Sequence, residues 1–434
     1  MPPVRFRMRP LVAIISVVLT LAAGVGLAVI AFGVPLNPIP TPEGPFAVGS
    51  IEVLFTDPHR PEIFAQANVP RRVPAQILYP IAKAESGRAP YIAHPRETLK
   101  NMSRIHGVLL ATLLKGIIRL DAPWSVARAP AAASQLPVIV YLPGVTGYRE
   151  MNSFQTMDLA SHGYVVIALD QPGSVAASVM PDSTIINGLD LAEIKGAVPP
   201  AYLANAPIGL PPHLARWRSG ERSIIPYLAA DASLVLDQIS LLDNDHRSPL
   251  KGKLNMRRVG IFGMSLGAIV AARTCADDQR FGACLMMDAP TPIDVARDGL
   301  PQPALWLTRT ADLMREERHS TGGWPDDEIA ITQRSIHDAA RHSRDGVVID
   351  MPGTFHISFT DLAALTPILR WLGIAPGVNA RATHRNIATL TRLFFDQKLK
   401  PAPAAERAAL KTSTARPSSL PPAHTACRPP PARL

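Results

Sequence analysis

The stretch VGIFGMSLGAIVAART (259–274) decides how the rest of the chain is read. VGIF (259–262) has the composition of a short buried strand, and AIVAART (268–274) that of a helix. Between them lies Gly263-Met264-Ser265-Leu266-Gly267. Gly-x-Ser-x-Gly alone is a weak signal, because both residue types are common. Placed between a strand and a helix, it describes a sharp turn that leaves a serine hydroxyl exposed at a helix N-terminus. The flanking glycines relieve crowding around that backbone. The competing reading is an ordinary glycine-rich turn.

Outward from this segment the pattern repeats. Short apolar runs occur at VIVYL (138–142), YVVIAL (164–169), ACLMMD (283–288), ALWL (304–307) and GVVID (346–350), with helical or mixed stretches between them. Such runs imply a mostly parallel central sheet with helices on both faces. AVGSIEVLF (47–55) and VPAQILY (73–79) read as an antiparallel start. One α/β domain over 45–397, of the α/β-hydrolase fold, accommodates all of them. Two long insertions, at about 85–130 and 171–221, are candidate lids or surface-binding elements.

A serine hydroxyl is a poor nucleophile until a base takes its proton. In this fold the chain order is serine, acid, histidine. His356 follows the last core strand through MPGTF (351–355) and is the expected base. His337 and His342 lie in a charged helical stretch and read as surface residues, and His162 as structural. Two aspartates compete for the acid: Asp288, which ends ACLMMD, and Asp312, which follows the next strand. Residue pattern alone leaves both open. The oxyanion hole needs two backbone N–H donors. Leu266, directly after the nucleophile, supplies one, and Val145, in the loop Pro143–Gly147 after VIVYL, is the expected second.

Composition narrows the function further. The 434 residues are 47% hydrophobic and 18% charged, which suits a large folded core. The formal charge of +9 resides in Arg5, Arg7 and Arg9 and in the basic tail 398–434, so the body between is formally neutral. A neutral body argues against nucleic-acid binding. LVAIISVVLTLAAGVGLAVIAFG (11–33) is an uncharged apolar run long enough for a bilayer, where ~20 residues suffice. With the basic segment 1–10 before it, it reads as a transmembrane signal-anchor that puts the body in the periplasm or outside the cell. A cleaved signal peptide, giving a secreted protein, is the rival. Residues 34–44 form a proline-rich linker. Residues 401–434 hold 8 Pro and 9 Ala, so 398–434 reads as a disordered tail. Of the cysteines, Cys275 and Cys284 either form a disulfide or stay as buried thiols. No spacing of metal ligands stands out, so no metal or cofactor is expected, and nothing points to an obligate protein partner.

Several segments together resemble the plasma-type platelet-activating factor acetylhydrolases, a phospholipase A2 group with the α/β-hydrolase fold. They are GPFAVGSIEVLF with VPAQILYP, LPGVTGYREMNSFQTMDLASHGYVVIALD, VGIFGMSLGA, DDQRFGACLMMDAPTPI with LPQPALWL, and PGTFHISFTDL. The resemblance covers most of 45–397. It implies Ser265 as nucleophile, Asp288 rather than Asp312 as acid, His356 as base, and Val145 and Leu266 as oxyanion donors. It also implies calcium-independent hydrolysis of a short acyl ester at a lipid surface. Two departures bear on acyl specificity: Met264 stands where the family usually has His, and LPGVTG replaces S-H-G-L-G. In ETLKNMSRIHGVLLATLLKGIIRL (97–120), Met102, Ile105, Leu109, Leu113 and Ile117 recur at helical spacing. That predicts one amphipathic helix, lying in a membrane interface or packed on the body.

The expected protein is therefore a serine esterase whose substrate is a lipid or small ester at a membrane surface. A cutinase-like or dienelactone-hydrolase-like esterase is the alternative within the class. A catalytically inactive binding scaffold is the alternative outside it.

Overall fold

Strands built from Val, Ile and Leu in unbroken runs must be covered on both sides, and this chain supplies a helical layer for each. The computed structural model describes residues 8–65, 68–85, 89–126, 129–190, 193, 224–321 and 325–400. Nine strands form one sheet: β1 (Ala47–Pro61), β2 (Pro70–Ile81), β3 (Ser125–Val126), β4 (Leu136–Leu142), β5 (Val165–Leu169), β6 (Leu254–Met264), β7 (Ala283–Met287), β8 (Pro303–Thr308) and β9 (Asp345–Asp350). Their order is β9-β8-β7-β6-β4-β5-β2-β1-β3. From β9 to β5 all neighbours run parallel. β2 is antiparallel to both β5 and β1, and β3 runs parallel to β1. The expected antiparallel start is present, in register from Ala47 opposite Ile81 to Asp57 opposite Arg71.

The alternation of β4 shows the layering. Val138, Val140 and Leu142 face one core, with Leu228 and Val235 of the helix Ile224–Asn244 and Val270 and Ala271 of the helix Leu266–Asp277. Ile139 and Tyr141 face the other, with Met157 and Leu159 of the helix Ser153–Ser161 and Ile387 and Phe395 of the helix Ala380–Leu399. Each fully buried side chain of this size contributes roughly 1.5–3 kcal/mol. Ile224–Asn244 is long and apolar enough to cross a membrane by composition, but most of it is buried in the first core.

The apolar N-terminal run is helical over Met8–Phe32 and stops at Gly33, whose φ of 77° suits glycine. Leu19, Leu21, Val25, Leu27 and Ile30 of this helix are each more than 60% exposed. Its last carbonyls meet the body: Lys115 Nζ donates to Ile30 O at 3.1 Å and Arg119 Nη2 to Phe32 O at 3.1 Å. Residues 1–7 and the tail beyond Lys400 lie outside the described residues, as does most of 191–223 in the second insertion.

The segment 97–120 departs from the single helix expected. Gly107, at φ 91°, divides it into a helix Pro95–His106, a short helix Val108–Leu113 and a 3-10 turn Leu114–Arg119. Met102, Ile105, Leu113 and Ile117 do pack on the body, but Leu109 turns outward beside Val108, the two being 73% and 71% exposed. The break resets the helical phase, so spacing carried across Gly107 misassigns Leu109.

A buried ion cluster fixes β2 to the helical layer. Arg71, on β2, donates to Asp231 at 2.6 and 3.1 Å, to Glu62 at 2.8 Å and to Pro172 O at 3.1 Å. Its guanidinium also lies 4.8 Å from the ring centre of Tyr227. Removing one partner of such a group strands the other's charge in a dry site. Asp231→Ala is therefore expected to lower the unfolding free energy by roughly 3–5 kcal/mol in a denaturant titration. A loss below about 1 kcal/mol, the range of exposed pairs, would show that water reaches the cluster.

Candidate active site

The parallel order of β4, β6 and β7 brings the loop after β4, the turn after β6 and the end of β7 to one edge of the sheet. Ser265 makes the β6 turn at φ 55° and ψ −125°, a conformation L-residues rarely adopt. Its N–H donates to Met287 O on the neighbouring strand at 2.9 Å. Both motif glycines are demanded by close approach: a Cβ on Gly263 would stand 2.1 Å from Gly267 O, and one on Gly267 2.1 Å from Leu142 O. The helix Leu266–Asp277 begins directly after the serine, so its N-terminal dipole points at the hydroxyl's surroundings.

Asp288 follows β7 without a loop, at φ 48°, with its N–H donating to Leu307 O at 2.9 Å. Its fully buried side chain places Oδ2 2.5 Å from His356 Nδ1. His356 opens a 3-10 turn, His356–Phe359, beyond β9, and its Nε2 lies 3.1 Å from Ser265 Oγ. Burial pushes the Asp288 carboxyl up, but the Arg309 charge and the hydrogen bonds from His356 and Arg309 outweigh it and hold the pKa at about 2. The carboxylate is thus ionised well below neutral pH. Its contribution to stability is complete above the ordinary carboxyl range and is lost as pH falls toward about 2. With Asp288 an acceptor only, the imidazole proton sits on Nδ1, and the unprotonated Nε2 is the atom that can accept the serine's proton.

The structure brings Ser265, Asp288 and His356 into one hydrogen-bonded line, and it leaves Asp312 out. Asp312 heads the helix Ala311–Thr321 on its outer face, where its side chain is 93% exposed and pairs with Arg315 at 2.9 Å. Val145 and Leu266 flank the serine. A Cβ on Gly144 would lie 3.1 Å from Ser265 Cβ, so the β4 loop touches Ser265. The N–H groups of Thr146 and Gly147 are taken by Ser174 O and Gly144 O at 2.7 and 3.0 Å. Among the described residues, those of Val145 and Leu266 have no acceptor. His337 and His342 are exposed, and His162 closes the helix Ser153–Ser161 with its Nδ1 2.7 Å from Asp158 O.

Three features escaped the sequence. Arg309 and Glu317, both buried, stand behind Asp288 and His356. The available signal was an arginine at the end of the buried strand ALWL, a position too costly for an unpaired charge. His106, at the end of the helix Pro95–His106, places Nε2 2.8 Å from Thr146 Oγ1 and so ties the first insertion to the β4 loop. Cys275 and Cys284, left open above, are joined as a disulfide. Among the described residues no cluster of His, Cys, Asp and Glu is arranged to hold a metal ion.

A family model described as "Platelet-activating factor acetylhydrolase, isoform II" matches residues 34–182 and 233–400, which take in every residue of this site. Curated proteins named platelet-activating factor acetylhydrolase are similar at low identity. The one from Cavia porcellus is 25% identical over 205 residues, 46% of this chain and 45% of its own. The one from Bos taurus is 25% identical over 240 residues, 53% of this chain and 49% of its own. The one from Canis lupus familiaris is 24% identical over 290 residues, 62% and 59%. The chain thus spans about half the length of the curated relatives it matches. Among solved structures, a ferulic acid esterase from Streptomyces cinnamoneus superposes with a TM-score of 0.60 at 20% identity, over 88% of this chain and 97% of the other. At that identity the likeness is one of fold.

The two aspartates are separated by a pair of variants. Loss of a triad acid can cost ~10⁴ in kcat, whereas a surface aspartate costs almost nothing. Asp288→Asn is expected to lose most of its turnover of p-nitrophenyl acetate and Asp312→Asn to retain it. The reverse pattern would move the acid to the later strand.

Proposed function

Since the chain belongs to the platelet-activating factor acetylhydrolase, isoform II family, we propose that it is a serine carboxylic-ester hydrolase that removes a short acyl group from a phospholipid. The observation that carries this reading is the line Ser265 Oγ–His356 Nε2–His356 Nδ1–Asp288, at 3.1 and 2.5 Å, on a strained strand-to-helix turn.

In this mechanism Ser265 Oγ attacks the ester carbonyl carbon as its proton passes to His356 Nε2. The carbonyl π electrons move onto oxygen, and the N–H groups of Val145 and Leu266 receive that negative charge. The imidazolium so formed is balanced by Asp288, which is already ionised. As the tetrahedral intermediate collapses, the bond to the alcohol oxygen breaks and the leaving alcohol takes the proton from Nε2. Water then attacks the acyl-serine. Its proton goes to Nε2 and is returned to Ser265 Oγ when the carboxylic acid departs. Activation of the nucleophile by an imidazole requires no Lewis acid, so calcium independence belongs to the same reading.

We further propose that the helix Met8–Phe32 anchors the protein in a membrane with the catalytic domain in the periplasm or outside the cell. Its outward apolar side chains, and Arg5, Arg7 and Arg9 ahead of the apolar run 11–33, support a span with a cytoplasmic N-terminus. Lys115 and Arg119 at its carboxyl end suit a headgroup layer, and Val108 and Leu109 stand exposed on the same segment. The Cys275–Cys284 disulfide fits an oxidising compartment.

Wild type is expected to hydrolyse p-nitrophenyl acetate and butyrate, with and without EDTA, and Ser265→Ala to be slower by several orders of magnitude. Equal rates would leave a binding scaffold. In a chain-length series the highest kcat/KM is expected on sn-2 acetyl or similarly short phospholipids. A strong preference for soluble esters would favour the cutinase-like or dienelactone-hydrolase-like reading. Full-length protein is expected in the membrane fraction, resistant to high salt, while a chain beginning at residue 34 is released. A soluble, cytoplasmic full-length protein would refute the anchor.

A further inference from the structure

Asp288 and His356 are connected a second time, behind the hydrogen bond that pairs them. Asp288 Oδ1 accepts from Arg309 Nε at 2.8 Å. Arg309 Nη1 donates to Glu317 Oε2. Glu317 Oε1 accepts the backbone N–H of His356 at 3.0 Å. His356 Nδ1 then returns to Asp288 Oδ2 at 2.5 Å, which closes a ring of four residues. The side chains of Asp288 and Arg309 are 0% exposed and that of Glu317 7% exposed.

We propose that Arg309 and Glu317 are positioning residues of the active site: one buried guanidinium holds the acid by one carboxylate oxygen and, through Glu317, holds the backbone of the base. The proposal rests on the assignment of Ser265, His356 and Asp288 made above.

Two arguments support it. The first is geometric. A carboxylate on a single side-chain bond can turn, and Asp288 presents Oδ2 to the imidazole only while Oδ1 is held elsewhere. His356 comes after an irregular segment, Met351–Phe355, and its backbone needs its own anchor to stay beside Ser265. Arginine suits the double duty because its planar fork addresses two carboxylates at fixed angles, which a lysine ammonium does not. The second is electrostatic. With Asp288 and Glu317 as carboxylates and Arg309 as a cation, the ring carries one formal negative charge while His356 is neutral. When His356 takes the serine's proton the ring becomes neutral. A dry site carrying one compensating charge favours the imidazolium that forms on the way to the acyl-enzyme. Without Glu317 the same proton transfer would leave a net positive charge.

The test uses purified full-length protein and the variants Arg309→Lys and Glu317→Gln. Lysine keeps the charge without the fork. Glutamine keeps the shape but has one acceptor oxygen for the two donors that Glu317 now serves. An alkyl fluorophosphonate measures the fraction of Ser265 that can react and the rate at which it does, and p-nitrophenyl acetate gives kcat and KM. Both variants are expected to label to full stoichiometry but slowly, with kcat reduced about 10- to 100-fold and KM nearly unchanged, as for a displacement of about 1 Å in catalytic geometry. A merely structural role would reduce the labelled fraction, with kcat falling in proportion, and that result would overturn the proposal. So would variants whose kcat per labelled site stays within about twofold of wild type. Failure of wild type itself to react would instead refute Ser265 as nucleophile, and the role of the ring would fall with it.

Discussion

Ser265 is held in a backbone conformation that costs of order 1–3 kcal/mol and survives only because its surroundings leave no alternative. Gly263 and Gly267 pass so close to neighbouring carbonyls that neither admits a Cβ, and the serine's N–H is pinned to Met287 on the next strand. That turn sets where the hydroxyl points, where the following helix begins and how near the β4 loop can approach. The rest of the sheet serves it: parallel strands buried on both faces place β4, β6 and β7 side by side, and their carboxyl ends deliver Gly144, Ser265 and Asp288 to one place. The expensive conformation is thus supported by two hydrophobic layers that have no direct part in chemistry.

Electrostatics around the turn follow from burial. Asp288 sits where an isolated carboxyl would be driven neutral, yet Arg309 and His356 keep it charged. The same logic recurs on β2, where Arg71 is buried against Asp231 and Glu62. In both places a single arginine addresses two carboxylates that belong to separate segments. On β2 this joins strand to helix. At the candidate active site it joins Asp288 to the loop that carries His356.

The parts legible in the sequence were those fixed by local pattern. A strand-to-helix motif placed Ser265, and a histidine just beyond the last apolar run placed His356, because periodicity and turn chemistry act over a few residues. Asp288 and Asp312 were indistinguishable on that basis. Only the resemblance separated them, since the choice depends on whether the chain after β8 folds back or leaves as a helix. Arg309 and Glu317 were not legible, for their roles depend on how the helix Ala311–Thr321 docks against the end of β7. The same limit appears at Leu109. Gly107 turns the chain out of helical phase, and no count of apolar spacing reveals a change of phase. Cys275 and Cys284 were likewise open, because their pairing depends on the approach of a helix and a strand.

The central claim is that Ser265 becomes acylated during turnover. The most direct measurement is rapid acid quenching of wild type during hydrolysis of p-nitrophenyl butyrate, followed by peptide mass mapping. The account predicts one butyryl group on the peptide that contains Ser265, accumulating within the first turnover and absent from Ser265→Ala. An acyl group on another residue, or hydrolysis that persists in Ser265→Ala, would contradict it.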